Sequence, residues 1–236
     1  MRKNKCILFS VEGIDGCGKT STINYLQKQL SKLSVGDYKP KIATVSFFGQ
    51  TPEAMEFKQE VISGKLDERE IADGLLKHSS YLLRHTVREL SETCDVILMD
   101  RGRASFFAYQ IKGFGLKDYD AKFDEQMRLD KRSNMTPHYL YIKPEFDKIY
   151  GNIAKRGEKD HIESQGDAFM RSVYDGYESF FKYKFNKTDT KLSIIDVQKT
   201  EEMYGTGLDV FLSRIMTVFM KSHGPQLFEN VKERNQ

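Results

Sequence analysis

Near the start of the chain, Gly13-Ile14-Asp15-Gly16-Cys17-Gly18-Lys19-Thr20 fits the pattern G-x-x-x-x-G-K-[ST] and leaves few folds open. The apolar run Cys6–Glu12 before it reads as a buried strand, and Lys19–Lys32 after it as an amphipathic helix. In that setting each residue type has a mechanical reason. Glycines let backbone N–H groups turn inward around a phosphate, at a helix N-terminus whose dipole also favours an anion. The run, together with Ser21, is therefore the predicted cradle for the phosphates of ATP, with Lys19 reaching the β- and γ-phosphates and the Thr20 hydroxyl a ligand of Mg²⁺. Such a pattern arises by chance in roughly one chain of this length in a hundred, and the strand–helix context makes a ligand-free glycine turn the weaker reading.

Further apolar runs of strand length follow at Ile42–Phe48, Asp95–Met99, His138–Lys143 and Lys191–Asp196. They alternate with stretches of helix length: Pro52–Ser63, Glu68–Ser91, and two helices on either side of a charged break between Glu145 and Tyr183. This alternation predicts an α/β protein of three layers, a central five-stranded parallel sheet with helices on both faces. A last helix places Leu208, Phe211, Leu212, Ile215, Val218 and Phe219 on one stripe, which predicts packing onto the sheet. At 236 residues the chain suits one domain, taken as 1–222, with a polar tail over 223–236.

Composition excludes several classes. Charged residues make up 30% of the chain but the net charge is only +3, which gives no sign of the basic groove a nucleic-acid partner or a polynucleotide 5′-kinase activity would want. No apolar stretch reaches the ~18 residues needed to span a membrane. Cys6, Cys17 and Cys94 show no C-x-x-C pairing, against a disulfide framework or zinc site and for a reducing, cytoplasmic location. Cys17 sits where a helix N-terminus lowers a thiol pKa, so oxidation sensitivity is one reading of it; a small side chain tolerated beside phosphate is the plainer one.

The third strand ends in Asp100-Arg101, and the chain runs on through Gly102-Arg103-Ala104-Ser105-Phe106-Phe107-Ala108-Tyr109-Gln110. In an open α/β sheet ligands sit at the carboxyl ends of the strands, so this pair emerges beside the glycine loop. Asp100 there can hold Mg²⁺ through water, and Arg101 can grip a phosphate with a bidentate fork. An Asp-Arg pair alone is as readily a structural salt bridge.

Together, Glu12–Thr20, Asp100-Arg101 with Ser105 and Ala108-Tyr109-Gln110, the segment Arg156–Glu163, and more weakly Ile194–Lys199 resemble the thymidylate kinase family over about Cys6–Glu202. The resemblance implies ATP·Mg²⁺ as donor and a pyrimidine deoxynucleoside monophosphate as acceptor, dTMP first, in a homodimer. It implies that Asp15 accepts a hydrogen bond from the acceptor's 3′-hydroxyl and Arg101 binds its phosphate. Tyr109 would close against the sugar 2′ position, Phe48 would line the sugar and phosphate side, and Ser105, Gln110 and Glu163 would join the acceptor site. Lys199 falls in the loop around the adenine. The segment 155–163 resembles the lid, and because the P-loop offers Gly16 where some members carry arginine, the lid is expected to supply the catalytic cation. Arg156 is the first candidate, with Lys155, Lys159 and a titrating His161 as alternates.

Two departures bear on the acceptor. The arginine usual after the second strand is absent from Phe47-Phe48-Gly49-Gln50-Thr51-Pro52, and Arg103 at the mouth of the site is the expected second phosphate clamp, ahead of Gln50 and Arg84. The family's thymine-stacking Phe, with an Arg four residues on, is not identifiable in 75–84, where His78, Tyr81 or Arg84 could substitute. The base therefore stays open. The alternatives are a base-modified nucleotide or a free deoxynucleoside as acceptor, or a nucleotide-binding switch without phosphotransfer.

Overall fold

In the computed structural model, which describes residues 6–33, 38–147, 149, 161–185, 192–196, 207–213, 215–217 and 220, five strands form one parallel sheet. They are β1 (Ile7–Glu12), β2 (Ile42–Ser46), β3 (Val96–Asp100), β4 (His138–Lys143) and β5 (Leu192–Asp196), in the spatial order β2-β3-β1-β4-β5. The register pairs Val11 with Asp100 and Ser46 with Asp100, so the carboxyl ends of β1, β2 and β3 finish level. β1 is buried along its whole length and β4 over Tyr139–Ile142, as expected of strands covered on both faces.

Helix α1 (Lys19–Leu30) starts directly from the glycine loop. Helix α2 (Pro52–Ser63) begins with Thr51 capping the Ala54 N–H and Pro52 in its first turn, and stops at Gly64 in the left-handed region, φ 70°. Helix α3 (Glu68–Tyr81) opens with a full capping box between Asp67 and Glu70. It runs through a wider π-helical turn, Leu82–Val87, into α4 (Arg88–Thr93), so the stretch expected over 68–91 is one continuous path with a local widening.

The segment after Arg101 is helical: α5 (Arg103–Phe106) continues as a π-helical stretch, Phe107–Gly113. Helix α6 (Asp120–Arg132) follows, and α7 (Asp167–Ser179) packs along 107–113. Gly176 makes that approach close: a Cβ there would meet the Ala108 Cα at 2.8 Å. Phe106, Phe107, Phe123, Tyr139, Phe180 and Phe181 fill the layer beneath. In the last helix Leu208, Phe211 and Ile215 are buried, with Phe211 edge-on to Phe9 at 5.5 Å, while Val218 and Phe219 lie outside the described residues. Among the described residues no helix is long and apolar enough to cross a membrane.

Candidate active site

One cavity of about 450 Å³ opens at the carboxyl ends of β1, β2 and β3, within the size range of small-molecule sites. The glycine loop forms one side. Gly13, Gly16 and Gly18 have φ of 148°, 81° and 92°, values an L side chain rarely adopts, and they bend the backbone into α1. Gly13 is also crowded, since a Cβ there would stand 2.7 Å from the Ile142 oxygen. Asp15, Gly16, Gly18, Lys19, Thr20 and Ser21 face the cavity. Ile14 and Cys17 are buried behind it. The Lys19 Nζ donates to the Ile14 carbonyl at 3.0 Å, and its ammonium is 3.7 Å from Asp15 Oδ1. Burial raises the Cys17 thiol above its ordinary range, with the nearby Lys19 and Arg101 charges working against that. The direction is opposite to the lowering that a helix N-terminus alone would give, because desolvation outweighs the cationic neighbours.

Asp100 and Arg101 emerge where the sheet ends. Arg101 sits at φ 67°, an uncommon conformation for a non-glycine residue that turns its side chain back over the loop. Its Nη2 pairs with Asp15 Oδ1, while Nη1 donates to the Tyr177 hydroxyl at 3.2 Å and the Gly13 carbonyl at 3.3 Å. Tyr109 Oη donates to Asp15 Oδ2 at 2.7 Å and accepts from the Asp15 N–H at 3.0 Å. The Arg101 guanidinium also lies 5.1 Å from the Tyr109 ring centre. Burial works against the Arg101 charge, but Asp15, Tyr109, Tyr177 and Asp100 together outweigh it and hold the guanidinium above its ordinary range. Asp15, Arg101 and Tyr109, distant in sequence, thus form one cluster, and Phe48, Ser105 and Gln110 line the same cavity.

Beneath them lies a residue to which sequence reasoning assigned no role. Glu12 is fully buried at the end of β1 and accepts from Ser10 Oγ at 2.8 Å and Ser105 Oγ at 2.6 Å. Burial pushes it up to about 7, with the two serine bonds and the Arg101 and Lys19 charges limiting the rise. When protonated it can start a chain that runs through Ser105 Oγ and Tyr177 Oη (2.7 Å apart) to the Gly13 carbonyl at 3.0 Å. Gly102 is required here because a Cβ would come within 2.8 Å of Glu12 Oε1. A charged residue closing an otherwise apolar strand was the available signal. Tyr177, on α7, left none.

Several expectations are corrected. Arg103 is not at the cavity mouth: its side chain is 2% exposed and paired with Asp130 at 2.7 Å, with a further bond to Ser79 Oγ at 2.9 Å. α5 carries it down between α3 and α6, where a buried guanidinium needs a carboxylate. Gln50 donates to the Thr44 carbonyl and is exposed, and neither it nor Arg84 lines the cavity. His78 stacks on Phe57 and Tyr81 on His85, away from the lining. The α3 residues that do line it are Ile71 and Leu75, four apart; Leu75 opens the stretch searched from sequence and Ile71 lies one turn before it. Lys58, on α2, is the lining cation nobody would pick from sequence; its Nζ lies 5.7 Å from the Phe48 ring centre.

Of the lid, Arg156, Lys155 and Lys159 lie outside the described residues, as does Lys199. His161 donates its N–H to the Ile62 carbonyl at 3.1 Å, and its ring packs on Gly64, where a Cβ would meet Nδ1 at 2.7 Å. The imidazole therefore docks on the end of α2 and does not line the cavity, unlike its neighbour Ile162. Glu163 is buried and also outside the lining.

The oxygen donors suit a hard cation. Asp100 Oδ1 is buried with no hydrogen-bond partner, and Thr20 faces the same space. Such a pair fits Mg²⁺, which keeps most of its waters and leans on substrate phosphates; among the described residues no group of three or more His, Cys, Asp or Glu could hold a metal ion.

A family model described as thymidylate kinase matches residues 11–200. Curated relatives carry the same description. One from Chlorobaculum parvum is 29% identical over 188 residues, covering 75% of this chain and 83% of the relative. One from Prochlorococcus marinus is 28% identical over 183 residues, covering 74% and 82%. One from Fervidobacterium nodosum is 25% identical over 203 residues, covering 86% and 96%.

Proposed function

Because the chain belongs to the thymidylate kinase family, we propose that it transfers the γ-phosphoryl group of ATP to a pyrimidine deoxynucleoside monophosphate, dTMP before others. Membership makes it a phosphotransferase of the nucleoside-monophosphate kinase kind. One observation carries the acceptor: Asp15, Arg101 and Tyr109 build a second polar site in the same cavity as the phosphate loop. A protein that only binds a nucleotide has no need of that site.

The magnesium–nucleotide, when bound, supplies the transferable group and neutralises part of its charge. Thr20 and Asp100 would hold the metal, Asp100 through water. The rest is positioning and charge. The loop amides and Lys19 would cradle the donor phosphates, Lys19 exchanging the Ile14 carbonyl for phosphate oxygen. Arg101 would exchange Asp15 for the acceptor phosphate, which leaves the Asp15 carboxylate to accept from the acceptor 3′-hydroxyl. Tyr109, still bonded to Asp15, would stand against C2′ and disfavour a 2′-hydroxyl there. Arg156 would bring the lid's charge to the transferring group, and lid closure would exclude water.

ADP formation measured with each deoxynucleoside monophosphate tests the reading. dTMP should show the highest kcat/KM. ATP binding without monophosphate-dependent ADP release would sink it and favour a nucleotide-binding switch.

A further inference from the structure

We propose that Tyr177 is a positioning residue for the acceptor phosphate: its buried hydroxyl fixes the inner nitrogen of the Arg101 guanidinium, so that the outer nitrogen can leave Asp15 and meet the phosphate without the side chain losing its place. This rests on the kinase reading above and adds to it a residue that acts through Arg101.

Tyr177 is fully buried on α7 and does not line the cavity. Its hydroxyl nevertheless ends at the polar cluster. It accepts from Arg101 Nη1 at 3.2 Å, donates to the Gly13 carbonyl at 3.0 Å and lies 2.7 Å from Ser105 Oγ. Three bonds engage the one proton and two lone pairs that a phenol has. Ser105 leads on to Glu12, 2.6 Å away. Burial pushes the Tyr177 phenol well above its ordinary range against the pull of the Arg101 charge, so the hydroxyl keeps its proton and serves as donor and acceptor at once. Packing alone asks for no hydroxyl here. The ring stacks on Tyr141 at 5.6 Å, which a phenylalanine would do as well, and the Tyr139 hydroxyl is buried with no hydrogen-bond partner. The backbone brings α7 close on glycines from both sides: a Cβ at Gly176 would stand 2.8 Å from the Ala108 Cα, and one at Gly113 2.8 Å from Val173 Cγ2.

The two ends of the Arg101 fork face different partners. Nη2 pairs with the Asp15 carboxylate, which lines the cavity. Nη1 points inward, to Tyr177 and, at 3.3 and 3.4 Å, to the Gly13 carbonyl and Ser105 Oγ. When the acceptor phosphate displaces Asp15, only Nη2 changes partner. A guanidinium freed at both ends would have to be ordered again in the complex, and immobilising one long side chain weakens binding by about two- to tenfold. Misplacing the phosphate by about 1 Å costs the transfer step about a hundredfold. Of the inner partners Tyr177 is the nearest, and it alone ties Arg101 to α7 and, by its stack on Tyr141, to β4.

The test is a double-mutant cycle of Tyr177→Phe and Arg101→Lys, the second keeping the charge but not the fork. It is read in kcat/KM for dTMP at saturating ATP and Mg²⁺, in the dTMP Kd by calorimetry without ATP, and in the KM for ATP. Tyr177→Phe should raise the dTMP Kd by about fivefold and lower kcat/KM for dTMP by about tenfold or more, with the KM for ATP within about twofold of wild type. In the Arg101→Lys chain the same change should move both dTMP constants by less than about twofold. Tyr141→Phe, which takes a neighbouring hydroxyl from Glu178 instead, should leave the dTMP constants unchanged whatever it does to stability. If Tyr177→Phe does not fold, Ser105→Ala, which strips the hydroxyl of its other side-chain partner, is read by the same cycle and the same outcomes. Wild-type dTMP constants in Tyr177→Phe, an undiminished factor in the Arg101→Lys chain, or a KM for ATP that shifts as far as the dTMP constants overturns the inference. The expected cycle in Kd without ADP release by the wild type would sink the kinase reading and leave the inference standing; a wild type that binds no dTMP overturns both.

Discussion

Glu12→Gln should stabilise the protein at neutral and alkaline pH, and the gain should vanish in acid. The carboxyl is fully buried and burial raises it from 4.5 to about 7. Because the folded value lies above the unfolded one, the folded state holds the extra proton between them. Its contribution is fully present below 4.5 and is lost as pH climbs to about 7. At about 1.4 kcal/mol per pH unit across that window, the difference between wild type and variant approaches roughly 3 kcal/mol above pH 7. For a chain of this size that is up to roughly 10 °C in Tm. Glutamine fits the surroundings: its oxygen can accept from Ser10 as Oε1 does, and its nitrogen can donate to Ser105, freeing the serine proton for Tyr177. The assay is urea unfolding of both proteins from pH 4 to 8.5. Taking the difference removes the titration of every other carboxylate. A constant gap across that range would refute the reasoning, because Glu12 would then titrate no differently in the folded and unfolded states.

Three further outcomes are expected. Lys19→Ala should lower kcat by several orders of magnitude with the fold intact, seen as lost ADP formation beside an unchanged circular dichroism spectrum; near wild-type turnover would contradict the P-loop role. Lys58→Ala should raise the KM for the monophosphate by roughly threefold to tenfold while leaving the KM for ATP unchanged, since Lys58 lines the cavity beside Phe48, the residue proposed for the acceptor side. Arg103→Ala should cost roughly 3 kcal/mol of stability by stranding Asp130, whose side chain is 12% exposed, without altering the acceptor KM; an acceptor KM raised tenfold at unchanged stability would restore it as a phosphate clamp.

The parallel sheet, the phosphate loop and the strand-end Asp100-Arg101 pair were legible in the amino-acid order because each is a local pattern. Strand-length apolar runs must be buried on both faces, glycines at fixed offsets serve one backbone shape, and Thr51-Pro52 or Asp67 with Glu70 cap a helix within four residues. Helix α6 left no such trace: Phe123 is its one buried residue, so no apolar period marks it. What tertiary structure alone decided were the partnerships between distant residues. Arg103 and Arg101 are two positions apart with the same side chain. The chain's turn at φ 67° sends Arg101 over the loop to Asp15, while α5 carries Arg103 to Asp130. Likewise Gln110 and Lys112 sit on one helical stretch, and only the packing of α7 along it decides that Gln110 is buried at the cavity while Lys112 is exposed. Hydrogen bonds and ion pairs act over a few ångströms of space, and sequence order carries distance in residues; the two coincide within a turn or a cap and part company across a sheet.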